Sequence, residues 1–254
     1  KPYQPLILKS RLRNAIARSR LYLLDKMQYV IDHDALTNLY NRSYFFRETR
    51  SMLDAHPEVQ FVFVRFDIDR FRLLNSFWRE ETGDRFLCYI ADYLRSVMSR
   101  YTLCTYGRIT ADVFCFCLPY HREELEAGIL EAQKYFARFN REYYFKSSFG
   151  IYIIRHPSIS LENMYQLATV AAKSCKKLYT QYFEYYDEKM DANAAREHLI
   201  VRDMQKALDE EQFTVYFQPK YNLRTNQPYG AEALIRWRHP EAGVISPGLF
   251  VPIF

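Results

Sequence analysis

Two acidic residues directly behind an apolar run are the first candidates for chemistry in this chain. Residues 61–66 read FVFVRF, and Asp67 and Asp69 follow at once in the sequence DID. The run predicts a strand with carboxylates at its C-terminal end, and the backbone N–H groups of residues 70–72 could receive phosphate oxygens. For Asp69 we prefer a solvated or structurally paired carboxylate, because most strand-end charges are of that kind.

The histidines and cysteines do not predict a metal or disulfide site. The six histidines lack a spacing such as H-x-x-x-H, so we interpret each as a surface or structural residue. The five cysteines are odd in number and four lie in apolar runs, which favours reduced, buried thiols and a cytosolic compartment. Cys115 and Cys117 would share one face of a strand, which indicates core packing.

Composition and charge predict a globular protein that does not bind a polyanion. The 254 residues are 49% hydrophobic and 17% aromatic, enough for one sizeable core and part of a second. The net charge of +5 is modest, and its one basic cluster, at residues 9–20, is explained by a solvated helix face, so nucleic-acid binding is not expected. No apolar run reaches the roughly 18 to 20 residues of a membrane span and no signal-peptide pattern opens the chain, so we expect no membrane contact and a cytoplasmic location.

Alternating strand-like and helix-like stretches between residues 34 and 187 predict the fold class. Helical spacing at residues 86–98 follows the apolar run, and after it come a hairpin, a helix, a strand, a helix and a short closing strand. The hairpin is predicted from residues 101–106 and 113–118, and the later elements from 122–139, 143–154, 161–178 and 182–186. The order is βαββαβ with additions, an α+β sandwich of the ferredoxin-like type.

The first 33 residues are predicted to form a helix that precedes this domain. Its apolar positions are Leu8, Leu12, Ile16, Leu23, Met27 and Val30. This pattern favours a connecting or dimerising helix, so a homodimer is one expected arrangement. The beginning, KPYQP, resembles the end of a phospho-receiver domain, where a Lys-Pro pair precedes the last helix.

Three motifs in register resemble those of GGDEF domains. Residues 34–42 read DALTNLYNR and resemble the family's D-x-L-T-G-L-x-N-R, and residues 67–75 read DIDRFRLLN and resemble D-I-D-x-F-K-x-x-N. Residues 83–84 match the G-D that follows, and the likeness extends over residues 34–187. The resemblance implies the condensation of two GTP molecules into cyclic di-GMP, with one GTP bound by each subunit of a dimer.

The same resemblance implies the positions of a nucleotide site. Asp67 would be a ligand of Mg²⁺, which positions and neutralises the triphosphate. Asn75 and Asp84 match residues that hydrogen-bond the guanine edge, and Lys176 aligns with a helix lysine that reaches the phosphates. Arg72 replaces the usual lysine, which keeps the charge but changes its geometry.

The signature loop departs from the family pattern. Residues 108–114 read RITADVF where the family has R-x-G-G-D-E-F, so Thr110 and Ala111 replace both glycines and Val113 replaces the glutamate, whereas Asp112 and Phe114 are retained. A two-residue turn generally needs φ > 0, which β-branched Thr110 does not tolerate, so the loop should change shape. Val113 cannot bind Mg²⁺, and Asp112 is expected to be a poor substitute, because neighbouring strand residues point to opposite faces and Asp112 would point away from the ligand position. No catalytic residue of the signature is then intact, and for Arg108 and Asp112 we prefer a structural interpretation.

A last segment, residues 203–254, follows a predicted helical linker at 188–202 and resembles the start of EAL domains. Residues 216–220 read YFQPK, and residues 230–237 read GAEALIRW. In a complete EAL domain the resemblance implies that Glu232 is a metal ligand, Arg236 a phosphate contact and Gln218 a substrate contact, within a modified TIM barrel that hydrolyses cyclic di-GMP. Such a barrel needs about 250 residues, so this piece is not expected to be a phosphodiesterase by itself.

These observations predict a catalytically silent GGDEF domain that regulates an EAL phosphodiesterase, with GTP or cyclic di-GMP as ligand. Residues 101–104 read YTLC where the family's inhibitory product site has R-x-x-D, so product binding is not expected at that position. Two alternatives remain: a residual diguanylate cyclase, and a dimerisation or spacer module that binds no nucleotide.

Overall fold

The computed structural model describes residues 13–16, 18–20, 29–77, 80–140, 145–176 and 180–251, without the side chains of residues 74, 75, 77, 80 and 193–198. The helix predicted over residues 1–33 therefore lies largely outside the described residues, and so does its KPYQP beginning. Within that range residues 13–16, 18–20 and 29–32 are helical. The described chain divides after Tyr186 into two compact units.

A five-stranded sheet forms the centre of the first unit. Its strands are β1 (Phe61–Ile68), β2 (Thr105–Thr110), β3 (Val113–Pro119), β4 (Ser147–Ile153) and β5 (Phe183–Tyr185). They lie in the order β2-β3-β1-β4-β5. Strand β1 is antiparallel to β3 and to β4, and β5 adds to β4 in parallel. This order confirms the predicted ferredoxin-like α+β class.

Five helices of the first unit surround the sheet: α1 (Arg42–Ala55), α2 (Phe71–Phe77), α3 (Glu80–Met98), α4 (Arg122–Phe136) and α5 (Leu161–Lys176). All eight residues of β1 are buried: apolar side chains leave both of its faces, and Arg65 and Asp67 are buried with them. One core cluster joins Val64 and Phe66 to α3 and α4, and the other joins Phe61 and Phe63 to α1 and α5. The end of β1 is therefore held between two packed layers.

The first strand of the hairpin differs from the prediction. It was expected at residues 101–106 but runs from Thr105 to Thr110. Gly107 lies within this strand, where its backbone approaches the carbonyl oxygen of Tyr40. A Cβ at residue 107 would lie 2.5 Å from that oxygen, so only glycine permits this approach. The Arg108 N–H donates to that same oxygen at 2.9 Å. Apolar spacing alone does not show this contact with the segment before α1.

The second unit is a helix followed by an antiparallel sheet. Helix α6 (Glu188–Asp209) runs without a break through the predicted linker and into the next segment. Strands β6 (Phe213–Tyr221), β7 (Pro228–His239) and β8 (Gly243–Ile245) pair in that order, and the short helix α7 (Pro247–Phe250) follows. Trp237 is fully buried in a small core with Ile200, Ala207 and Phe250.

The described helices include none that combines the length and the hydropathy needed to cross a bilayer.

Candidate functional site

Asp67 lies at the C-terminal end of β1, and its side chain is 9% exposed. Its Oδ2 atom accepts from Arg65 Nη2 at 2.9 Å and from Lys176 Nζ at 2.6 Å. Its Oδ1 atom is buried and has no hydrogen-bond partner among the described residues. Oδ2 of Asp67, the predicted metal ligand, thus pairs with two cationic side chains, whereas Oδ1 is buried without a hydrogen bond from the described residues.

Arg65 is a residue of this site that sequence analysis missed. It lies two positions before Asp67, so both side chains leave the same face of β1. Burial opposes its charged form, but the carboxylate of Asp67 raises the Arg65 pKa above its ordinary value. Its Nε and Nη1 atoms have no partner among the described residues. The signal was available, because an arginine stands inside an otherwise apolar run.

Asp69 is paired structurally, as the sequence analysis preferred. The Ser148 hydroxyl donates to its Oδ1 at 2.8 Å, and Lys146 Nζ lies 3.3 Å from its Oδ2. Lys176 Nζ also approaches Oδ1, at 3.9 Å. Lys146 is buried directly before β4 and Ser148 belongs to β4, so this carboxylate pairs with side chains at the start of that strand.

The structure places Asp112 beside Asp67, and the expectation that it points away is wrong. Asp112 is a turn residue, because β2 ends at Thr110 and β3 begins at Val113, so strand alternation does not apply to it. The Ile68 N–H donates to Asp112 Oδ2 at 3.1 Å. Burial raises the Asp112 pKa, and the negative charge of Asp67 raises it further.

The unusual backbone conformation of the turn falls on Ala111 and not on Thr110. Ala111 has φ 43°, in the left-handed region, whereas Thr110 is paired with Val113 as the last residue of β2. The register of β2 against β3 shifts between Arg108 and Thr110. This irregularity lets the hairpin accommodate Thr110 and Ala111 in place of two glycines. The two-residue turn is therefore kept, at the cost of a strained alanine.

Val113 and Phe114 occupy opposite faces of the sheet. Arg65 pairs with Cys115 across the strands, so Val113 shares the face of Arg65 and Asp67. Val113 is buried in the apolar cluster under α1 and α5. Phe114 stacks on Phe66, with ring centroids 5.4 Å apart, and belongs to the other core.

Arg108 ties the turn to the first motif. Its Nε donates to the Ala111 carbonyl at 2.7 Å, and its Nη1 donates to Asp34 Oδ1 at 2.8 Å. The Thr37 N–H and hydroxyl donate to the same oxygen, at 2.9 and 2.6 Å. Burial would raise the Asp34 pKa, but these hydrogen bonds from Thr37 and Arg108 lower it. One ion pair thus joins the first matched motif to the signature loop.

Of the other predicted nucleotide residues, Lys176 is brought to Asp67 from the end of α5. Arg72 and Asp84 are exposed on α2 and α3. The backbone of Asn75 belongs to α2, and its side chain lies outside the described residues. These positions stay predictions for guanine and phosphate contacts.

The donor set at the end of β1 does not suit a divalent metal. Among the described residues, no group of three or more His, Cys, Asp or Glu side chains could hold a metal ion. Mg²⁺ needs oxygen ligands, but Asp67 Oδ2 already accepts from two cationic groups. The residues at the end of β1 thus do not fit Mg²⁺ at this oxygen atom.

The predicted EAL residues lie on neighbouring strands of the second unit. Gln218 and Glu232 are cross-strand partners of β6 and β7. Lys220 Nζ lies 3.1 Å from Glu232 Oε2, and Arg236 Nη1 donates to the Ile235 carbonyl at 2.9 Å. The register brings Gln218 and Glu232 together, as a shared site would need.

Comparison with known families matches both units. The family described as "Diguanylate cyclase, GGDEF domain" matches residues 31–180, and the EAL domain family matches residues 201–254. The first match covers more than half of the chain and contains every residue of the site at the end of β1.

Curated relatives include the bifunctional diguanylate cyclase/cyclic di-GMP phosphodiesterase MucR of Pseudomonas aeruginosa. It is 26% identical over 230 residues, which cover 87% of this chain and 33% of MucR. The cyclic di-GMP phosphodiesterase NbdA of the same organism is 23% identical over 246 residues, 94% of this chain and 31% of NbdA. The chain thus spans about a third of the length of these relatives.

Solved structures show the same fold at low identity. The coiled coil and GGDEF domain of DgcB from Caulobacter crescentus, in complex with c-di-GMP, is 22% identical with a TM-score of 0.53, over 67% of this chain and 94% of that one. The S helix-GGDEF-EAL part of Vibrio cholerae LapD, bound to c-di-GMP, is 14% identical with a TM-score of 0.63, over 92% of this chain and 55% of that one.

Proposed function

Because the chain belongs to the family of GGDEF diguanylate cyclase domains through residues 31–180, we propose that it is a catalytically silent, regulatory member of that family. In this proposal it binds GTP without cyclising it, and the occupied site alters the activity of an EAL phosphodiesterase in the same protein. The EAL family match at residues 201–254 supports this pairing of domains.

The observation that carries the proposal is the character of residue 113. By strand register this residue shares the face of Asp67, where a glutamate would add a further carboxylate to that face of the strands. Val113 instead contributes a buried apolar side chain to the core. Attack of a ribose hydroxyl on an α-phosphate depends on neutralising charge on the triphosphate, which an isopropyl group does not do.

Retained polar residues support nucleotide binding. Asp84 is exposed near the start of α3, and Lys176 reaches the end of β1 with a side chain that is 37% exposed. Hydrogen bonds from Asn75 and Asp84 would favour guanine over adenine, since adenine would leave them mispaired at about 1 to 3 kcal/mol each. GTP concentration would then bias whichever domain arrangement binds it better.

Calorimetric titration with GTP, followed by analysis of the products, tests the proposal. Binding without cyclic di-GMP is the expected result. Product formation at roughly 1 s⁻¹ or faster would establish the residual cyclase instead. Absence of binding at millimolar GTP would establish the spacer module.

A matched pair of variants checks that binding uses the predicted guanine contact. Asp84→Ala should weaken GTP binding and leave the melting temperature without ligand unchanged, because Asp84 is exposed. Asp92→Ala removes another exposed acid from the same helix and should leave GTP binding unchanged. Equal losses in both variants would argue for a general charge effect.

A further inference from the structure

Asp67 carries two cationic contacts that come from different parts of the chain. Arg65 belongs to β1 itself, and Lys176 lies 109 positions after Asp67, at the end of α5. Both nitrogen atoms lie within 3 Å of the same carboxylate oxygen, at 2.9 and 2.6 Å. The negative charge of the Asp67 carboxylate is therefore already neutralised by side chains of the protein.

The charges around Asp67 balance without an added ion. In the described part of the chain, the acidic groups of this cluster are Asp67, Asp69 and Asp112, and the basic groups that pair with Asp67 and Asp69 are Arg65, Lys146 and Lys176. Three negative and three positive charges sum to zero. A divalent cation at Asp67 would add two positive charges next to two that are in place, and Coulomb repulsion is strong where water is excluded.

From this geometry we infer that Arg65 and Lys176 take the place of a divalent cation at Asp67. The site therefore binds phosphate groups with cations of its own and without Mg²⁺. Arg65 is buried and remains on Asp67, whereas Lys176, at the end of its helix and partly exposed, can turn an ammonium N–H to a ligand. The inference that the site binds phosphate rests on the proposed function. The inference that Arg65 and Lys176 exclude a metal from Asp67 does not.

Titration with Mn²⁺ alone tests the exclusion of metal without any nucleotide. The native protein should show no Mn²⁺ site that depends on Asp67. Lys176→Gln frees one contact of Asp67 Oδ2, and Arg65→Met with Lys176→Gln frees both. Each step should tighten Mn²⁺ binding, by roughly tenfold or more in the double variant, and Asp67→Asn in that background should abolish it.

Two controls keep this test decisive. Lys173→Gln changes an exposed lysine on the same helix and should leave Mn²⁺ binding as in the native protein. If the double variant does not fold, Lys176→Gln alone still decides, because its side chain is 37% exposed and its loss removes little packing. Mn²⁺ binding by the native protein that Asp67→Asn abolishes would overturn the inference.

Nucleotide titration separates this inference from the proposed function. The affinity for GTP should be the same, within about threefold, in excess EDTA and in Mg²⁺, whereas a dependence of roughly tenfold or more on Mg²⁺ would overturn the inference. If GTP binds under neither condition, the proposed function and the inference that this site binds phosphate fail together. The Mn²⁺ titration then still decides whether the resident cations exclude metal.

Discussion

The Oδ2 atom of Asp67 is shared between a guanidinium and an ammonium group, at 2.9 Å from Arg65 and 2.6 Å from Lys176. Asp67 matches the family motif in type and position, yet its negative charge is already paired with Arg65 and Lys176. Asp112 shows the converse, because a residue we expected to point away accepts from the Ile68 N–H at the same end of β1. Residue type and spacing therefore located Asp67 but predicted neither the contacts of Asp67 nor the place of Asp112.

The strained alanine of the signature turn gives the first prediction at this scale. Ala111→Gly should stabilise the protein by about 1 kcal/mol, because glycine adopts positive φ without the Cβ penalty that alanine pays at φ 43°. Ala127→Gly, at an exposed position in the interior of α4, should destabilise it by about 0.5 to 1 kcal/mol, because glycine weakens a helix. Urea denaturation of both variants measures this. A loss of stability in Ala111→Gly would mean that the turn does not strain alanine.

The ion pair between Asp34 and Arg108 gives a prediction that depends on pH. The Asp34 pKa is lowered in the folded protein, so its contribution is present above the ordinary value of 3.8 and is lost as pH falls through the lower, folded value. Asp34→Asn should cost about 1 to 2 kcal/mol at neutral pH. That cost should shrink as the pH falls through the lowered pKa of the folded protein, where the native carboxyl group becomes protonated as well.

Urea denaturation of the native protein and of Asp34→Asn across this range measures the difference. Asp54→Asn is the control, since Asp54 pairs with Arg50 at the surface at 3.5 Å and should matter little at any pH. A cost of Asp34→Asn that is equal at neutral and acid pH would contradict the assigned role of its charge.

At the scale of elements, helix α5 lies directly against strand β4. A Cβ at Gly150 would lie 1.8 Å from the Ala168 carbonyl oxygen and 2.5 Å from the Ala172 N atom. These atoms are backbone, so a side chain at residue 150 cannot be accommodated by a rotamer change. The same helix ends at Lys176, so this contact sets how far Lys176 reaches toward Asp67.

Gly150→Ala should therefore destabilise the first unit by about 3 kcal/mol or more and displace α5. Gly128→Ala is the matched control, because a Cβ on that glycine of α4 meets no atom within 4 Å. It should stabilise the protein by about 0.5 to 1 kcal/mol, since alanine favours a helix over glycine. Thermal denaturation compares the two. Similar effects of both changes would show that α5 does not press on β4.

At the scale of the molecule, each compact unit has a core of its own. Two clusters on either side of the five-stranded sheet hold the first unit, and a smaller cluster around Trp237 holds the second. Trp237 Nε1 donates to Gln212 Oε1 at 2.9 Å, so its ring is fixed by a hydrogen bond as well as by packing. The strands that carry Gln218 and Glu232 depend on this small core.

Trp237→Ala should destabilise the second unit by about 3 to 5 kcal/mol, because it removes the largest side chain of that core. Amide hydrogen exchange should then accelerate in β6, β7 and β8. Exchange in β1, β3 and β4 is the internal control, since their side chains belong to the other clusters. Protection unchanged in β6 and β7 would mean that Trp237 does not hold this sheet.

The sequence by itself determined the order of the elements, the strand end at Asp67 and the likeness to two families. These features rest on spacing within short stretches, where apolar periodicity and turn residues act locally. The same reasoning could have found Arg65, because a period of two places it on the face of Asp67. It misplaced the first hairpin strand by four residues, at 101–106 instead of Thr105–Thr110, because the contact between Gly107 and Tyr40 is not local.

Only the tertiary structure decided what those residues do to one another. The pairing of Lys176 with Asp67 joins positions 109 apart, and that of Arg108 with Asp34 joins positions 74 apart. Such distances are set by strand register and by the packing of α5 on β4, which no short stretch encodes. The sequence therefore supplied the carboxylate, and the packing of distant elements decided that cations of the protein lie on it.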